Sequence, residues 1–420
     1  MSKVVKSIAT SAMAGIKERN RDALKWISVN IKSDPSKTFS DLNRIGSHVK
    51  KYERNLEQLG RMVIGGFKIP QIIAKQNAIG NSVNACVVAE INFANRYQLP
   101  TSLNGIYERA YSHKLKEKCS EHITVYEKLK SDGGKRIICD FGKVRRVRSI
   151  IASDIFFVCA PTNKWEYCKK GKSIKNIFQG IREGLENEYS YWVVLDIENA
   201  FPSVRRGHLF DMIDMSKLIV HELVPYTGQS TSANQEAVQP ALPQGMAAST
   251  MVLSVLVGQA LRNLPKQSTA RCCFVDDLLL GAKSQEELDA AIKALKEYFA
   301  SLSAGPLNLT VKGPYTLSPS SNQAIYYLGY KVWLDKFTGE FRICPSKRSF
   351  GRMKKRIRKL VVSSFEDGLS YKIIESKVLG YATNWSQQFH LWDKIEIAIN
   401  LLEITALTEL NDTLDSLSSN

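Results

Sequence analysis

The sequence predicts an α+β fold, in which short β-prone runs in the middle of the chain lie between two helical segments. The first 115 residues have a helical composition that Pro35, Pro70 and Pro100 interrupt. The middle holds apolar runs such as Tyr191–Leu195, which are rich in β-branched and aromatic residues. A basic run with helical composition, Lys347–Lys359, comes after them. We expect four segments: an N-terminal helical extension at 1–115, then 116–190, 191–334 and 335–420.

The charge balance indicates a polyanionic partner. Lys and Arg total 58 and Asp and Glu total 41, so the formal net charge of the 420 residues is +17. Such a basic chain favours nucleic acid first and an anionic membrane surface second. A solvated basic face would have the same composition, so composition alone does not decide between them. With 44% hydrophobic and 24% charged residues, the chain has the composition of a soluble globular protein.

Membrane insertion, secretion and a structural zinc site are not expected. The longest apolar stretch, near Met251–Leu261, is too short to cross a bilayer. Lys3 and Lys6 interrupt the apolar residues of the N-terminus, which we interpret as an amphipathic helix rather than a signal peptide. The 8 cysteines include no C-x-x-C pair, which argues against zinc. Without a secretion signal, we expect reduced thiols in a cytoplasm.

Asp196 lies where a buried strand is expected to end. The segment YSYWVVLDIENAFPSV begins with apolar, β-prone residues and then places Asp196 after Leu195. A carboxylate there is costly unless a positive partner meets it. Phe201 follows five residues later, and Pro202 suits the first turn of a helix. Taken alone, Asp196 has the position of an ordinary helix cap or turn residue.

Two further acids are expected at the tip of a hairpin. In CCFVDDLLLGAK, two β-prone segments flank Val275, Asp276 and Asp277: Arg271–Phe274 and Leu278–Ala282. Paired acids at a turn are common on protein surfaces, but the apolar flanks place these two at the edge of a core. Adjacent carboxylates repel one another there unless a cation neutralises them. Hard oxygen ligands favour Mg²⁺ or Mn²⁺.

A tight turn, Pro243-Gln244-Gly245, comes between these acids in the chain. A helix is expected after it, from about Ala247 to Leu264, because Pro265 would end it. The glycine allows the backbone to approach a ligand closely. By itself the pattern is also that of an ordinary helix preceded by a glycine-containing loop.

The order of these three patterns resembles motifs A, B and C of reverse transcriptases. Asp196 and Asp276 are 80 residues apart, a separation that suits this family. Four more segments resemble its motifs in the family's order: Gly134–Ile138 and Gly171–Asn176 in the fingers, Gly305–Lys312 as motif D, and Tyr327–Gly329 as motif E. The resemblance covers about half of the chain, roughly residues 130–332, and does not include residues 1–115.

The resemblance implies a right-hand polymerase fold, with fingers at 116–190, a palm at 191–334 and a helical thumb and tail at 335–420. It implies an RNA-directed DNA polymerase, a nucleotidyltransferase, whose palm is an antiparallel sheet with helices on one face. Asp196, Asp276 and Asp277 would be catalytic. They would hold two divalent metal ions, Mg²⁺ or alternatively Mn²⁺, at the primer 3′-hydroxyl and the triphosphate.

Other roles carry over with the motifs. Residues expected to contact the incoming nucleotide are Lys135, Arg136, Phe201, Gln244 and Gly245. Lys135 and Arg136 would contact the triphosphate. Gln244 and Gly245 would lie near the templating base and the incoming nucleotide. Phe201 would lie under the sugar, where its ring would exclude a ribose 2′-hydroxyl. Lys312 would act as a catalytic residue that protonates the leaving pyrophosphate, although an ordinary surface lysine has the same pattern.

A basic run in the thumb is expected to contact nucleic-acid phosphates. Within 13 residues and with no acid among them are Lys347, Arg348, Arg352, Lys354, Lys355, Arg356, Arg358 and Lys359. A charge run usually marks a solvated helix face. A segment that should border the primer–template duplex favours phosphate contact instead.

Departures from related families favour the defence-associated and abortive-infection group of bacterial reverse transcriptases. Retron enzymes carry N-A-x-x-H in the fingers, whereas here Ile177 follows Asn176 and Gly180 takes the His position. No V-T-G follows the palm, and Phe274 replaces the tyrosine that usually precedes the hairpin. We also expect no maturase, endonuclease, RNase H or integrase domain.

The expected partners are an RNA template, a DNA product, deoxynucleoside triphosphates and, as an open question, further copies of the chain. The template would be a dedicated non-coding RNA used in antiphage defence in a bacterial cytoplasm. The alternatives are a catalytically silent RNA-binding protein, a template-independent or protein-primed DNA polymerase, and a viral RNA-directed RNA polymerase. The three acids argue against a silent scaffold, and Phe201 argues for DNA synthesis. Any exposed one of the 16 tyrosines could supply a priming hydroxyl.

Overall fold

Helices and strands both occur along the chain, which confirms the mixed fold that the sequence predicts. The computed structural model describes residues 3–30, 35–99, 102–121, 123–129, 135–160, 165–166, 173–225, 241–265, 269–392 and 395–418. Gly134 and residues 171–172 of the expected fingers motifs lie outside these ranges. No helix of the described residues is both long enough and apolar enough to cross a membrane.

The elements follow one another from a helical beginning through mixed segments to a helical end. The helices are α1 (Lys3–Asn30), α2 (Pro35–Ile64), α3 (Ile69–Gly80), α4 (Val83–Tyr97), α5 (Leu103–Ala110), α6 (Lys143–Cys159), α7 (Ile174–Glu186), α8 (Ala200–Ser203), α9 (Arg206–Met212), α10 (Lys217–Leu223), α11 (Ala247–Arg262), α12 (Gln285–Ala300), α13 (Lys347–Glu366), α14 (Tyr371–Gln388) and α15 (Ile395–Ser418), with a 3₁₀ turn at Tyr111–His113. The strands are β1 (Ile123–Leu129), β2 (Lys135–Phe141), β3 (Tyr191–Ile197), β4 (Thr269–Phe274), β5 (Asp277–Ala282), β6 (Leu309–Thr316), β7 (Ile325–Tyr327), β8 (Tyr330–Leu334) and β9 (Phe341–Pro345).

Contacts between residues divide the chain into two compact units. The first unit comprises Met1–Glu166, Ile197–Leu264 and Ala294–Leu309, and the second comprises Tyr167–Asp196, Pro265–Lys293 and Thr310–Asn420. Each unit therefore combines segments that are far apart in the sequence. The expected division into extension, fingers, palm and thumb is a different one, and it stays a prediction.

A four-stranded sheet with the order β4-β5-β3-β6 runs through the second unit. Strands β3 and β4 both pair antiparallel with β5. Trp192 of β3 is fully buried beside Gly281 of β5, where a Cβ would lie only 2.7 Å from its ring. Glycine is therefore needed at position 281, because a side chain there would push the tryptophan out of the core.

One apolar core joins this sheet to the three-stranded sheet β7-β8-β9 and to helices α13, α14 and α15. On α13 the buried apolar residues recur every four positions, at Met353, Ile357 and Val361. This spacing gives the helix one apolar face, which packs in the core, and leaves its basic residues on the other faces. Tyr330 of β8 is also buried in this core and donates a hydrogen bond of 3.0 Å to the main-chain oxygen of Gln388.

Helices of the first unit pack around α4, in which ten consecutive residues from Ala85 to Ala94 are buried. One of these residues is Glu90, whose carboxylate contacts Arg109 at 2.5 Å, Lys143 at 2.9 Å and His113 at 3.0 Å. These partners come from α5, from the start of α6 and from the 3₁₀ turn. Burial opposes ionisation of Glu90, but its hydrogen bonds outweigh burial and lower its pKa to about 2.

A second buried acid in the first unit is neutralised in the same way. Asp154 of α6 accepts hydrogen bonds from both terminal nitrogens of Arg19, at 2.9 and 2.6 Å, and from the Tyr52 hydroxyl at 3.0 Å. The two partners belong to α1 and α2. Two buried carboxylates therefore connect α1, α4, α5 and α6 through ion pairs, and α2 through a hydrogen bond from a tyrosine hydroxyl.

Glu90→Gln should destabilise the protein by about 3 kcal/mol at pH 7, because three cationic or polar partners would lose their shared carboxylate. The pKa of Glu90 is about 2 in the fold against an ordinary 4.5, so its contribution is present above pH 4.5. It is lost as the pH falls from 4.5 towards 2. Urea unfolding of wild type and variant across this pH range measures the difference.

The matched control is Glu57→Gln, which removes a carboxylate from a surface ion pair with Lys17. It should change the free energy of unfolding by less than about 1 kcal/mol. Equal effects of the two substitutions would show that the buried network does not stabilise the first unit.

Candidate active site

Asp196 and Asp277 lie opposite one another on paired strands of the four-stranded sheet. Asp196, next to the last residue of β3, pairs in register with Asp277, the first residue of β5. On the other side of β5, Phe274 pairs with Asp277, so Val275 and Asp276 form the two-residue loop of a hairpin. The hairpin that the sequence predicts is present. Residues directly opposite on antiparallel strands have Cβ atoms about 4.5–5.5 Å apart, so the three acids gather at one end of the sheet.

The hairpin loop has an unusual backbone at Val275. Its φ is +63°, in the left-handed region, although valine is β-branched and buried. Two-residue hairpin loops require a positive φ at this position, which Gly, Asn or Asp normally supplies. Valine there costs about 1–3 kcal/mol, so surrounding contacts must hold the loop in place.

Tyr327 supplies one such contact from motif E. Its hydroxyl donates a 2.8 Å hydrogen bond to the main-chain oxygen of Asp277, and its side chain is buried. The bond fixes the strand position from which the Asp277 carboxylate projects. The motif E pattern around Tyr327 does not indicate this contact, because the two residues are 50 positions apart.

Burial and the two neighbouring acids oppose the ionisation of Asp277. Burial, then Asp276, then Asp196 raise the pKa of Asp277 to about 6 from the ordinary 3.8, and Lys312 opposes the shift. The ammonium nitrogen of Lys312 lies 3.4 Å from a carboxylate oxygen of Asp196, and both side chains are partly exposed. Lys312 is therefore a cation beside Asp196 that also opposes the rise in the pKa of Asp277.

This donor set fits a divalent cation in charge and in chemistry, since carboxylate oxygens are the ligands that Mg²⁺ takes. Within the residues that the structure describes, however, no group of three His, Cys, Asp or Glu side chains is placed to hold one metal ion.

The turn at Gln244 and Gly245 belongs to the first unit, where it contacts β2. The amide of Cys139 donates a 2.8 Å hydrogen bond to the main-chain oxygen of Gln244. Gly245 has a φ of +114°, and a Cβ there would lie 2.6 Å from the Cys139 carbonyl oxygen. Glycine is needed at position 245 both because φ is positive and because a Cβ would collide with this oxygen. The Gln244 side-chain oxygen is buried and lacks a hydrogen-bond partner among the described residues, which leaves it available to a ligand.

Helix α11 follows this turn as the sequence predicts and ends at Arg262, two residues before the expected end. Phe201 lies half-buried in the short helix α8, after Asn199 in a left-handed conformation. Lys135 and Arg136 belong to β2, but their side chains lie outside the described residues. The expected contacts of all three with a nucleotide stay predictions.

The basic run forms most of α13, but two of its cations have a partner inside the protein. Lys354 and Arg358 contact the carboxylate of Glu409 of α15, at 2.8 and 2.7 Å. Burial opposes ionisation of Glu409, and the two cations outweigh it and lower its pKa. The sequence showed no acid within the run because this one lies about 50 residues further along. Seven members of the run are exposed: Arg358, although it contacts Glu409, and Lys347, Arg348, Arg352, Lys355, Arg356 and Lys359.

Residues 129–331 match the family model for the reverse transcriptase, or RNA-dependent DNA polymerase. This segment holds Asp196, the β4–β5 hairpin and Lys312. The match covers just under half of the chain, so this segment is similar to reverse transcriptase domains. That similarity indicates an RNA-directed DNA polymerase, a nucleotidyltransferase, and the reverse transcriptase family generally uses divalent metals.

Relatives of the reverse transcriptase domain include two Gag-Pol polyproteins of Rous sarcoma virus. Those of subgroup C (strain Prague) and subgroup B (strain Schmidt-Ruppin) are 34% and 33% identical to this chain over 96 residues. Each match covers 22% of this chain and 5% of the polyprotein. The chain therefore spans a small part of the curated relatives that it matches.

A solved telomerase from Candida albicans, in complex with a TWJ fragment of telomeric RNA, has a TM-score of 0.37 and 11% identity. The match covers 71% of this chain and 62% of the telomerase chain. At this TM-score the likeness supports no conclusion about fold or partner.

Tyr327→Phe should lower the rate of nucleotide incorporation by the reverse transcriptase domain at least about tenfold. The missing hydrogen bond itself accounts for only about 0.5–1.5 kcal/mol of stability. A small displacement of the Asp277 carboxylate, however, affects every step that depends on its position. The measurements are single-turnover primer extension and the free energy of unfolding.

Tyr330→Phe is the control, because Tyr330 is equally buried and also donates to a main-chain carbonyl, that of Gln388. We expect a similar loss of stability and unchanged incorporation. If both variants lose the same share of activity, the Tyr327 hydroxyl has only a general stabilising role.

Proposed function

We propose that the whole chain is an RNA-directed DNA polymerase with a right-hand arrangement of fingers, palm and thumb. Its substrates are deoxynucleoside triphosphates, an RNA template and a primer 3′-hydroxyl. The observation that most supports this is the in-register pair of Asp196 and Asp277 beside Asp276, inside a segment that matches the reverse transcriptase family. Deoxynucleotide incorporation by the purified chain on a primed RNA template tests the proposal.

In this mechanism the protein positions groups and neutralises charge. Two Mg²⁺ ions, or Mn²⁺ in their place, would supply the positive charge that activates the 3′-hydroxyl and stabilises the leaving pyrophosphate. Asp196, Asp276 and Asp277 would hold them. The Gln244 side-chain oxygen, which lacks a partner among the described residues, would meet the nucleotide, and Lys135 and Arg136 would contact its triphosphate.

Lys312 would protonate the leaving pyrophosphate. Its ammonium group lies 3.4 Å from Asp196, and about half of the side chain is exposed. Solvent therefore reaches the ammonium group, which would donate its proton to the pyrophosphate and be reprotonated by water.

Asp277→Asn should abolish incorporation and at the same time stabilise the metal-free protein. The pKa of Asp277 is raised to about 6, so its ionisation opposes folding at pH 7, whereas the group is neutral in both states below pH 3.8. The gain should be roughly 1–3 kcal/mol at pH 7, since one pKa unit is about 1.4 kcal/mol, and should vanish near pH 3.8. Thermal unfolding in chelator measures it.

Added Mg²⁺ should raise the melting temperature of wild type but not of the variant. Asp289→Asn, which changes an exposed acid on α12, serves as the control and should leave activity and stability unchanged. A fully active Asp277→Asn protein would contradict the metal-binding role.

Sugar choice is proposed to depend on Phe201, five residues after Asp196 in the chain. Its ring would occupy the space of a ribose 2′-hydroxyl, so Phe201→Val should admit ribonucleotides while deoxynucleotide incorporation persists. The measurement is the ratio of kcat/KM for matched deoxy- and ribonucleoside triphosphates. Phe210→Val, at an exposed position on α9, is the control. If Phe201 only packs against its neighbours, the variant loses stability and the ratio stays constant.

The exposed cations of α13 are proposed to bind template–primer phosphates. Changing Lys355, Arg356 and Lys359 together to Ala should reduce the slope of log affinity against log salt by roughly 0.7–0.9 for each phosphate that the variant no longer neutralises. The control is Glu409→Gln, which weakens the internal pairing of Lys354 and Arg358 without removing a cation. It should not reduce the slope. An unchanged slope in the triple variant would identify the run as a solvated face.

The biological role is proposed to be antiphage defence in a bacterium, with a non-coding RNA as the template. The departures from retron motifs at Ile177 and Gly180 and the net charge of +17 support this assignment. Protein purified from its host should carry a defined RNA, and deletion of the gene should increase phage sensitivity. Incorporation that persists after complete RNA removal would indicate template-independent or protein-primed synthesis instead.

A further inference from the structure

A cavity of about 350 Å³ lies in the first unit among helices α1, α4 and α6 and the turn before α11. Its volume is at the lower end of the range for small-molecule sites, about 300–1,000 Å³. Arginines and aromatic side chains from three helices and from the end of β2 line it, together with Gly245 and Met246. This combination of planar cations and rings is the chemistry that binds nucleotides.

The charges around the cavity leave one cation without a carboxylate. Arg19 is neutralised by Asp154, and Arg146 contacts Asp140. Arg96, on the last turn of α4, is exposed and has no carboxylate partner among the described residues. An unpaired guanidinium at the edge of a cavity is suited to a phosphate group.

Arginine and aromatic side chains group around Tyr97 at the border of the cavity, where the Phe93 and Tyr97 rings are tilted by 46° to one another. The guanidinium groups of Arg96 and Arg146 lie 5.9 and 5.7 Å from the centre of the Tyr97 ring, and the Phe93 ring lies 4.7 Å from it. Arg146 also donates a 2.8 Å hydrogen bond to the Tyr97 hydroxyl, at the edge of the ring, which fixes the position of Arg146 relative to Tyr97. Tyr97 is 41% exposed, so a planar ligand can still reach this group.

We propose that this cavity binds a single nucleotide, with its base against the planar side chains around Tyr97 and its phosphate on Arg96. The nucleotide is either a free one or an unstacked unit of a single strand, because both present the same base and phosphate. The site uses the N-terminal helices α1 and α4, to which the polymerase motifs assign no role. The cavity shares Gly245 with the proposed polymerase site. The cavity is tested by nucleotide binding in chelator, whereas the polymerase function is tested by nucleotide incorporation, so either proposal can fail while the other holds.

The test compares two arginine substitutions in the full-length chain. Arg96→Ala removes the unpaired cation, whereas Arg44→Ala removes an exposed arginine that lies 4.5 Å over Tyr107, outside the cavity. Both variants lose one positive charge and one arginine–tyrosine contact. Fluorescence anisotropy with labelled single-stranded oligodeoxyadenylate and oligoadenylate, and calorimetry with free dAMP, measure binding in the presence of chelator.

Arg96→Ala should weaken binding about tenfold, whereas Arg44→Ala should change it by less than about twofold. An oligonucleotide carrying 4-thiothymidine should crosslink to peptides containing Tyr97 or Phe141. If Arg96→Ala weakens the binding of the oligonucleotides but not of dAMP, the cavity binds a nucleotide unit of a single strand. If it also weakens the binding of dAMP, the cavity binds a free nucleotide. Equal effects of the two substitutions, or crosslinks confined to residues outside the cavity lining, would overturn the proposal.

Discussion

Three carboxylates must be held at one end of a four-stranded sheet, although like charges in a partly buried place repel one another. The register of β5 against β3 and β4 imposes this arrangement, because it sets Asp277 beside both Asp196 and Phe274. The apolar core below the sheet keeps the strands in this register. Burial and the two neighbouring acids raise the pKa of Asp277 to about 6, and Lys312 opposes this shift. The cations of the proposed mechanism would offset the cost of holding these carboxylates together.

Two buried acids elsewhere in the chain have the environment that is typical of a structural carboxylate. Glu90 and Asp154 are fully buried, and each is matched by cations or hydroxyls from neighbouring helices. The pKa of Glu90 is lowered as a result, whereas that of Asp277 is raised. The two groups have the same chemistry and opposite environments, and this contrast distinguishes the candidate active site from the ion pairs that hold helices together.

Helix α13 combines a structural and a binding surface on one element. Its apolar face, with Met353, Ile357 and Val361, packs in the core of the second unit. Two of its cations neutralise Glu409, which secures α15 against it. The remaining cations face solvent and form the surface on which nucleic acid is proposed to lie. The basic run on α13 thus combines internal ion pairs with a proposed nucleic-acid surface, and the composition of the run alone does not distinguish these two roles.

The sequence by itself determined the elements and the candidate acids. Local patterns were sufficient for the hairpin at Val275 and Asp276, for the helix after Gly245 and for the basic helix α13, because alternation, turn residues and helical spacing act over a few residues. The order of the motifs then indicated the enzyme class. Even so, an acid at a strand end or a glycine in a turn had an ordinary structural interpretation until its neighbours were known.

Only the tertiary structure decided which of these residues meet. The hydroxyl of Tyr327 reaches Asp277 across 50 positions, and Glu409 reaches Arg358 across 51. The cavity is lined by residues from Arg19 to Ala248, including helices that resemble no polymerase motif. Contacts of this kind depend on how strands pair and helices pack, and many sequences with the same local pattern would place other residues there. The sequence therefore specifies which ionisable side chains the protein has. The packing of its strands and helices decides which of these charges are paired inside the protein and which stay accessible to a ligand.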